Sequence, residues 1–208
     1  MSIKSSIVNG IRGRIIASLL GASALGGGIT TVVSYNEGFS GDAYLDSAGV
    51  PTICYGETKG VKMGQKRSLS DCQKQLIESV GEHAKALEGL PMSLPDVVLL
   101  GSVDMAYNVG VYGFKGSKVH RLLSEGNYKA AGAAVLEWRY ISSVRQPKGS
   151  GWVYVPTQSK WRYDCSQLVK GAPNKVCWGL WQRRLWESKA IGNEFKSVQD
   201  AVQALPKK

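Results

Sequence analysis

The chain has 208 residues, which at about 150 residues per domain means one or at most two domains. With 43% hydrophobic and 20% charged residues it lies near a globular average, and wholesale disorder is excluded. Its 26 Lys and Arg against 16 Asp and Glu give +10, so the partners to consider are nucleic acid, an anionic membrane or an acidic wall polymer.

The charge is unevenly spread. Residues 1–34 carry Lys4, Arg12 and Arg14 with no acid, a balance of +3. Residues 35–138 are mildly acidic at −2. Residues 139–184 hold nine basic residues against Asp164 alone, a balance of +8, and five of the six Trp lie at or beyond 152. No RNP, zinc-finger or basic-zipper pattern is present, so nucleic acid is not an expected partner.

Ile15 to Asn36 is an uncharged run of 22 residues behind a basic flank. That is about the length of a membrane span, oriented by the positive-inside bias. Its apolarity is weak, because Gly, Ala, Ser and Thr interrupt it, including Gly26-Gly27-Gly28. Three fates stay open: a cleaved signal peptide at Ala22-Ser23-Ala24, a permanent anchor, or a reversible one. A buried Gly/Ala-rich core helix is the plain alternative.

Next come two short strands, Tyr44-Leu45-Asp46 and Thr52-Ile53-Cys54-Tyr55, around a turn at 47–51 containing Gly49. This hairpin is expected to place Asp46 opposite Thr52. Glu37 precedes it at the end of the entry segment. Two carboxylates with a nearby hydroxyl are what inverting glycoside hydrolysis needs: one protonates the leaving oxygen, the other activates a water. By themselves, however, a Glu and an Asp nine residues apart are usually surface charges.

Ser70 predicts the cap of a helix over 71–89, closed by Gly89 and Pro91. Pro95 to Val109 reads as a buried central helix, with short helices near 117–125 and 127–139. Residues 141–178 do not read as regular structure, since Gln146 to Gly151 is a turn cluster. Cys54, Cys72, Cys165 and Cys177 allow three pairings, of which Cys54–Cys72 with Cys165–Cys177 is preferred. Four reduced thiols would fit a chain kept in the cytosol. Spacings of 18 and 12 do not suit a zinc ribbon, so no metal and no cofactor are expected.

The whole string is more specific than its parts. Glu37-Gly38, Ala43-Tyr44-Leu45-Asp46, Gly49-Val50-Pro51-Thr52 and Tyr55-Gly56 resemble the T4-type phage lysozymes, glycoside hydrolase family 24. Ala106-Tyr107-Asn108-Val109-Gly110 and Gly179-Leu180-Trp181-Gln182-Arg183-Arg184-Leu185-Trp186-Glu187 resemble two later motifs of that family. The resemblance covers residues 35–140 and 177–192. It implies an α+β, mostly helical lysozyme-like fold with a small β-hairpin lobe and a larger helical lobe. It also implies Glu37 as general acid, Asp46 as the acid that activates water, and Thr52 as a support for that water. Tyr107, Asn108 and Arg183 would face substrate; Tyr107 could equally be core, and Arg183 could equally pair with Glu187 four residues on.

The leader resembles those of the signal-anchor-release endolysins. The resemblance then implies residues 1–34 as a releasable segment and 35–208 as the catalytic domain, with a basic insertion near 141–178. It implies peptidoglycan as substrate and transient contact with the bacterial inner membrane through residues 15–35. The protein would be exported from the host cytoplasm, tethered and inactive at first, then active in the periplasm as a monomer. The rival readings are a lytic transglycosylase and a non-catalytic cationic wall-binding or membrane-binding protein.

Overall fold

The computed structural model describes residues 10–21, 23–46 and 49–207. Lys4, Ala22 and the turn residues 47 and 48 therefore lie outside the described part. Helices α1 (Ile11–Leu20) and α2 (Ala24–Glu37) come first, then a hairpin of β1 (Ser40–Leu45) and β2 (Pro51–Cys54). The helical body is α3 (Leu69–His83), α4 (Asp96–Val109), α5 (Val111–Lys115), α6 (Lys118–Ser124) and α7 (Tyr128–Val135). Strands β3 (Tyr140–Ser143), β4 (Trp152–Val155) and β5 (Lys160–Asp164) follow, then a small hairpin of β6 (Leu168–Val169) and β7 (Ala172–Pro173). Helices α8 (Trp178–Ile191) and α9 (Val198–Gln203) complete the chain. This is the expected α+β architecture, mostly helical with small sheets.

Helix α4 is the axis of the body. Every residue from Val97 to Ala106 is buried, because α2, α8 and α9 pack around it. A helix apolar on all sides belongs in a core. Within that apolar run Ser102 and Asp104 are also buried. Ser102 bonds back to the Val98 carbonyl, as a mid-helix Ser does. Asp104 does not bond back in this way, and its partners define the site below.

The weakly apolar N-terminal run is part of this core. Leu25, Ile29, Val32 and Val33 are buried on α2, each contributing about 1.5–3 kcal/mol of burial energy. Ser23 caps α2 by accepting from the Gly26 amide. Arg14 anchors α1 by donating to the Met92 and Leu94 carbonyls at 2.8 and 2.7 Å and pairing with Asp96. Among the described residues no single helix is long and apolar enough to cross a membrane. Helices α1 and α2, bent by 86°, meet that length and composition only together.

The glycines of α2 serve unequal purposes. A Cβ on Gly26 would sit 1.8 Å from the Ser18 carbonyl oxygen, and one on Gly28 2.4 Å from the Val198 side chain. Gly27 has no such neighbour within 4 Å. Gly26→Leu is therefore expected to destabilise the folded chain by about 3 kcal/mol, and Gly27→Leu by less than about 0.5 kcal/mol. Urea midpoints of the two purified variants check this, and equal losses would refute it.

Three expectations need correction. Thr52 pairs with Tyr44, not Asp46, and Leu45 pairs with Pro51. The strand stops before Asp46 because its carboxylate and carbonyl both close the turn, accepting from the Val50 and Gly49 amides. The helix predicted over 71–89 starts at Leu69, capped by Ser68, not Ser70. Ser68 accepts from the Asp71 amide and donates to the Asp71 carboxylate, which satisfies a free helix-start donor. That helix ends at His83, where a 3-10 turn over Ala84–Leu87 takes over.

The third concerns 141–178, which is regular after all. Strands β3 and β4 flank β5 in an antiparallel sheet. Trp, Tyr and Val supply the β-propensity in Trp152–Val155 and Trp161–Tyr163. The strands are only four or five residues long, and β3 pairs with β5 across the intervening β4, so the sheet is hard to read from any one segment.

Candidate active site

Glu37 is the last residue of α2. Gly38 follows at φ +76, where it ends the helix, its amide returning to the Ser34 carbonyl. A residue with a Cβ is strained there, so the Glu-Gly pair has a mechanical reason. The helix end delivers the Glu37 carboxylate to the wall of a cavity of about 340 Å³.

The opposite walls are Tyr55, Gly56 and Glu57 after β2, Gln75, Ser79 and His83 along α3, and Tyr107 of α4. The Cys54–Cys72 disulfide lines it too and ties the hairpin to α3. Tyr107 packs against His83 with ring centroids 4.5 Å apart and planes tilted by 37°, and it accepts a hydrogen bond from Ser79 at 3.1 Å. Burial raises the Tyr107 hydroxyl above its ordinary value, although the Ser79 bond opposes this.

Arg183 approaches Glu37 from the other side. Its Nη1 donates to Glu37 Oε1 at 3.1 Å. It also holds both carboxylate oxygens of Asp104, at 2.9 Å through Nη2 and 3.1 Å through Nε. Nε further contacts Glu187 at 3.2 Å. One guanidinium thus pairs both with Glu37 and with the helix partner Glu187. Burial alone would lower its pKa, but Asp104, Glu187 and Glu37 together raise it well above the usual arginine value.

Arg184 extends the network. It donates to Glu187, to the Asn108 side chain and to the Trp138 carbonyl. Asn36 donates to Asp104 at 2.9 Å. Two guanidiniums therefore face three carboxylates. Glu187 is fully buried, and that burial, aided by Asp104 and opposed by Arg184, pushes it up to about 7.

The structure brings Glu37, Tyr107 and Arg183 together. Asn108 lines an adjoining cavity of about 330 Å³ with Tyr35, Asn36, Gln182 and Arg183. Glu37 lines the first cavity and Arg183 the second, and the two side chains are paired at 3.1 Å. Asp46 and Thr52 line neither of these cavities. They lie together at the hairpin turn, joined through one residue: the Val50 amide donates to Asp46 and the Val50 carbonyl accepts from Thr52. Thr52 is buried there, at 3% exposure.

Sequence reading missed Asp104, Glu187 as part of the site, and His83. Asp104 left a usable trace, since a lone acid inside an apolar helix needs a buried cation. His83 left none, because a His near a helix end is common. Among the described residues no cluster of three or more His, Cys, Asp and Glu could hold a metal ion.

Known proteins share this arrangement of elements. Residues 34–151 match the model of the phage lysozyme family. The SAR-endolysin of Enterobacteria phage P21 is 27% identical over 140 residues, spanning 62% of this chain and 84% of its own. In fold the chain is similar to an endolysin from Escherichia coli O157:H7 phage FAHEc1, with TM-score 0.60 at 22% identity, over 84% of this chain and 97% of that one. It is also similar to a mutant P22 lysozyme, with TM-score 0.52 at 25% identity, over 76% and 92% of the two chains. With the family model matched over more than half its length, and a glutamate set in a cleft at a helix end, the chain belongs to the phage lysozyme family.

Proposed function

We propose that this endolysin, a glycosidase of peptidoglycan, cleaves the β-1,4 bond between N-acetylmuramic acid and N-acetylglucosamine by inversion. The observation that carries the reading is Glu37, projected by the end of α2 into a cavity and held from behind by Arg183. Glu37 donates the proton to the leaving oxygen. Asp46 activates a water on the opposite face of the sugar, and Thr52 keeps the turn that carries Asp46 in shape through Val50. Tyr107, Asn108 and Arg183 border the cavities in which sugar rings would lie.

The reading extends to export. Relatives such as that of phage P21 are named SAR-endolysins. By analogy, residues 1–34 tether the chain to the inner membrane and residues 35–208 form the enzyme, which becomes active in the periplasm after release. Packing supports this: α2 carries Glu37 at its end, so the catalytic glutamate cannot reach its cavity until α2 has left the bilayer and docked on α4 and α9.

Mass analysis and NMR of the digested glycan test the chemistry. Inverting hydrolysis yields reducing muramic ends that appear first as the α anomer. Anhydro-muramic ends would instead mark a lytic transglycosylase, and a first-formed β anomer would mark retention.

A further inference from the structure

Arg183 poses a chemical problem that its neighbours resolve. Its Nη1 donates to Glu37 Oε1 at 3.1 Å. A cation that close favours the ionised form of a carboxyl group. A general acid must instead keep its proton until the leaving oxygen takes it. An arginine facing Glu37 alone would hold the side chain in place and remove what it has to give.

Arg183 does not face Glu37 alone. Asp104 closes the Nε–Nη2 edge of its guanidinium, with Oδ2 on Nε at 3.1 Å and Oδ1 on Nη2 at 2.9 Å. Nη2 also donates to the Asp104 backbone carbonyl at 3.1 Å. Asp104 is 0% exposed and Arg183 9% exposed, so water screens their charges little. Asn36, the residue before Glu37, donates to Asp104 Oδ1 and fixes the carboxylate in this position. Glu187 shares the Nε contact at 3.2 Å, but burial pushes it up to about 7. Below that pH, Asp104 is the carboxylate that offsets Arg183 from the side away from Nη1.

The other titratable groups around the pair have partners of their own. Arg184 of α8 donates to Glu187. His83 of α3 bonds to the Ser79 carbonyl through Nδ1, and Tyr107 of α4 accepts from the Ser79 hydroxyl. Glu57, after β2, accepts from the Thr58 and Lys59 amides at 2.9 and 2.7 Å. Tyr35 and Lys207 line the adjoining cavity with Arg183, and the Tyr35 hydroxyl donates to the Pro206 carbonyl. The cation in contact with Glu37 is Arg183.

We propose that Asp104 is a positioning residue for the reaction: by neutralising Arg183, it lets that arginine fix the Glu37 carboxyl without stripping its proton. The buried acid of α4 thus acts on the chemistry through Arg183, beyond its part in stability. The inference rests on Glu37 being the general acid.

The test compares the full chain with Asp104→Asn, and with Asp104→Ser as a smaller neutral replacement should the Asn amide clash with Arg183 Nε. The pH profile of kcat/KM is measured on soluble peptidoglycan fragments, and the Glu37 carboxyl carbon is titrated by NMR. Without the Asp104 charge, Arg183 favours ionised Glu37 more strongly, so the proton leaves at lower pH. Both readings should move that way: the Glu37 midpoint falls, and kcat/KM drops about tenfold more on the basic side of its profile than on the acid side. Asp104→Glu keeps the charge, so its basic limb should stay in place even where its overall rate is lower. In variants with native near-ultraviolet circular dichroism, an unmoved or raised Glu37 midpoint overturns the proposal. So does a profile lowered evenly at every pH, which is what a merely structural role would produce. A lowered midpoint in a chain whose Glu37→Gln variant is as active as the unsubstituted protein would overturn the general-acid reading instead, and leave the coupling of Asp104 to Glu37 standing.

Discussion

Glu37→Gln is expected to lower the rate of wall hydrolysis about a thousandfold or more while leaving the fold intact. Gln occupies the same volume and can keep a bond to Arg183 Nη1 through its amide oxygen, so the end of α2 stays in place. What disappears, in the proposed mechanism, is the proton that Glu37 gives to the leaving glycosidic oxygen. The change also removes one carboxylate from a cluster that has three against two guanidiniums, which relieves repulsion and should not reduce stability. Turbidity loss of sacculus suspensions and a thermal melt check both halves. Clearing that survived at near wild-type rate would mean that the chain disrupts envelopes by charge and not by catalysis.

The second large effect lies behind Glu37. Asp104→Ala is expected to destabilise the protein by about 3–5 kcal/mol, because Arg183 would keep its buried charge and lose the carboxylate that holds two of its nitrogens. Activity should fall as well, since Arg183 positions the Glu37 carboxylate. Asp104→Asn is the milder variant: it keeps the bond from Asn36 possible while removing the charge. Chemical denaturation of the three proteins ranks them, and an Asp104→Ala chain within about 1 kcal/mol of wild type would show the network to be unimportant.

The same cluster sets a pH dependence. Glu187 is raised in the folded state, from 4.5 to about 7, so folding favours its protonated form. Its contribution is complete below about pH 4.5 and is lost as pH rises through about 7. Melting temperature should therefore fall between pH 5 and pH 8 more steeply in wild type than in Glu187→Gln, where this site no longer titrates. Identical slopes would refute the upward shift of Glu187.

Much of this was legible in the chain itself. The uncharged run from Ile15 to Asn36, the Glu37-to-Gly56 string, the apolar stretch from Val97 to Ala106 and the even set of cysteines are local or short-range signals. They led to the α+β lysozyme-like fold, to the phage lysozyme family, and to the glutamate at the helix end. Each follows from a pattern that one segment carries alone: periodicity, a turn residue, or a motif.

Other features depend on contacts between distant segments. Nothing near Asp104 indicates that Arg183, 79 positions away, will close on it, or that Arg183 will in turn hold Glu37. Among the short strands from Tyr140 to Asp164, β4 and β5 are chain neighbours, but β3 gains its hydrogen bonds only from β5, beyond β4, so its residues read as loop until the sheet forms. The uncharged leader is the clearest case. Its sequence set its weak apolarity and its glycines, and so permitted both a bilayer and a protein core as surroundings. Tertiary packing decided between them in the folded chain, because Gly26 and Gly28 admit Ser18 and Val198 at distances no larger residue allows. That close approach is what seats α2 and brings Glu37 to its cavity.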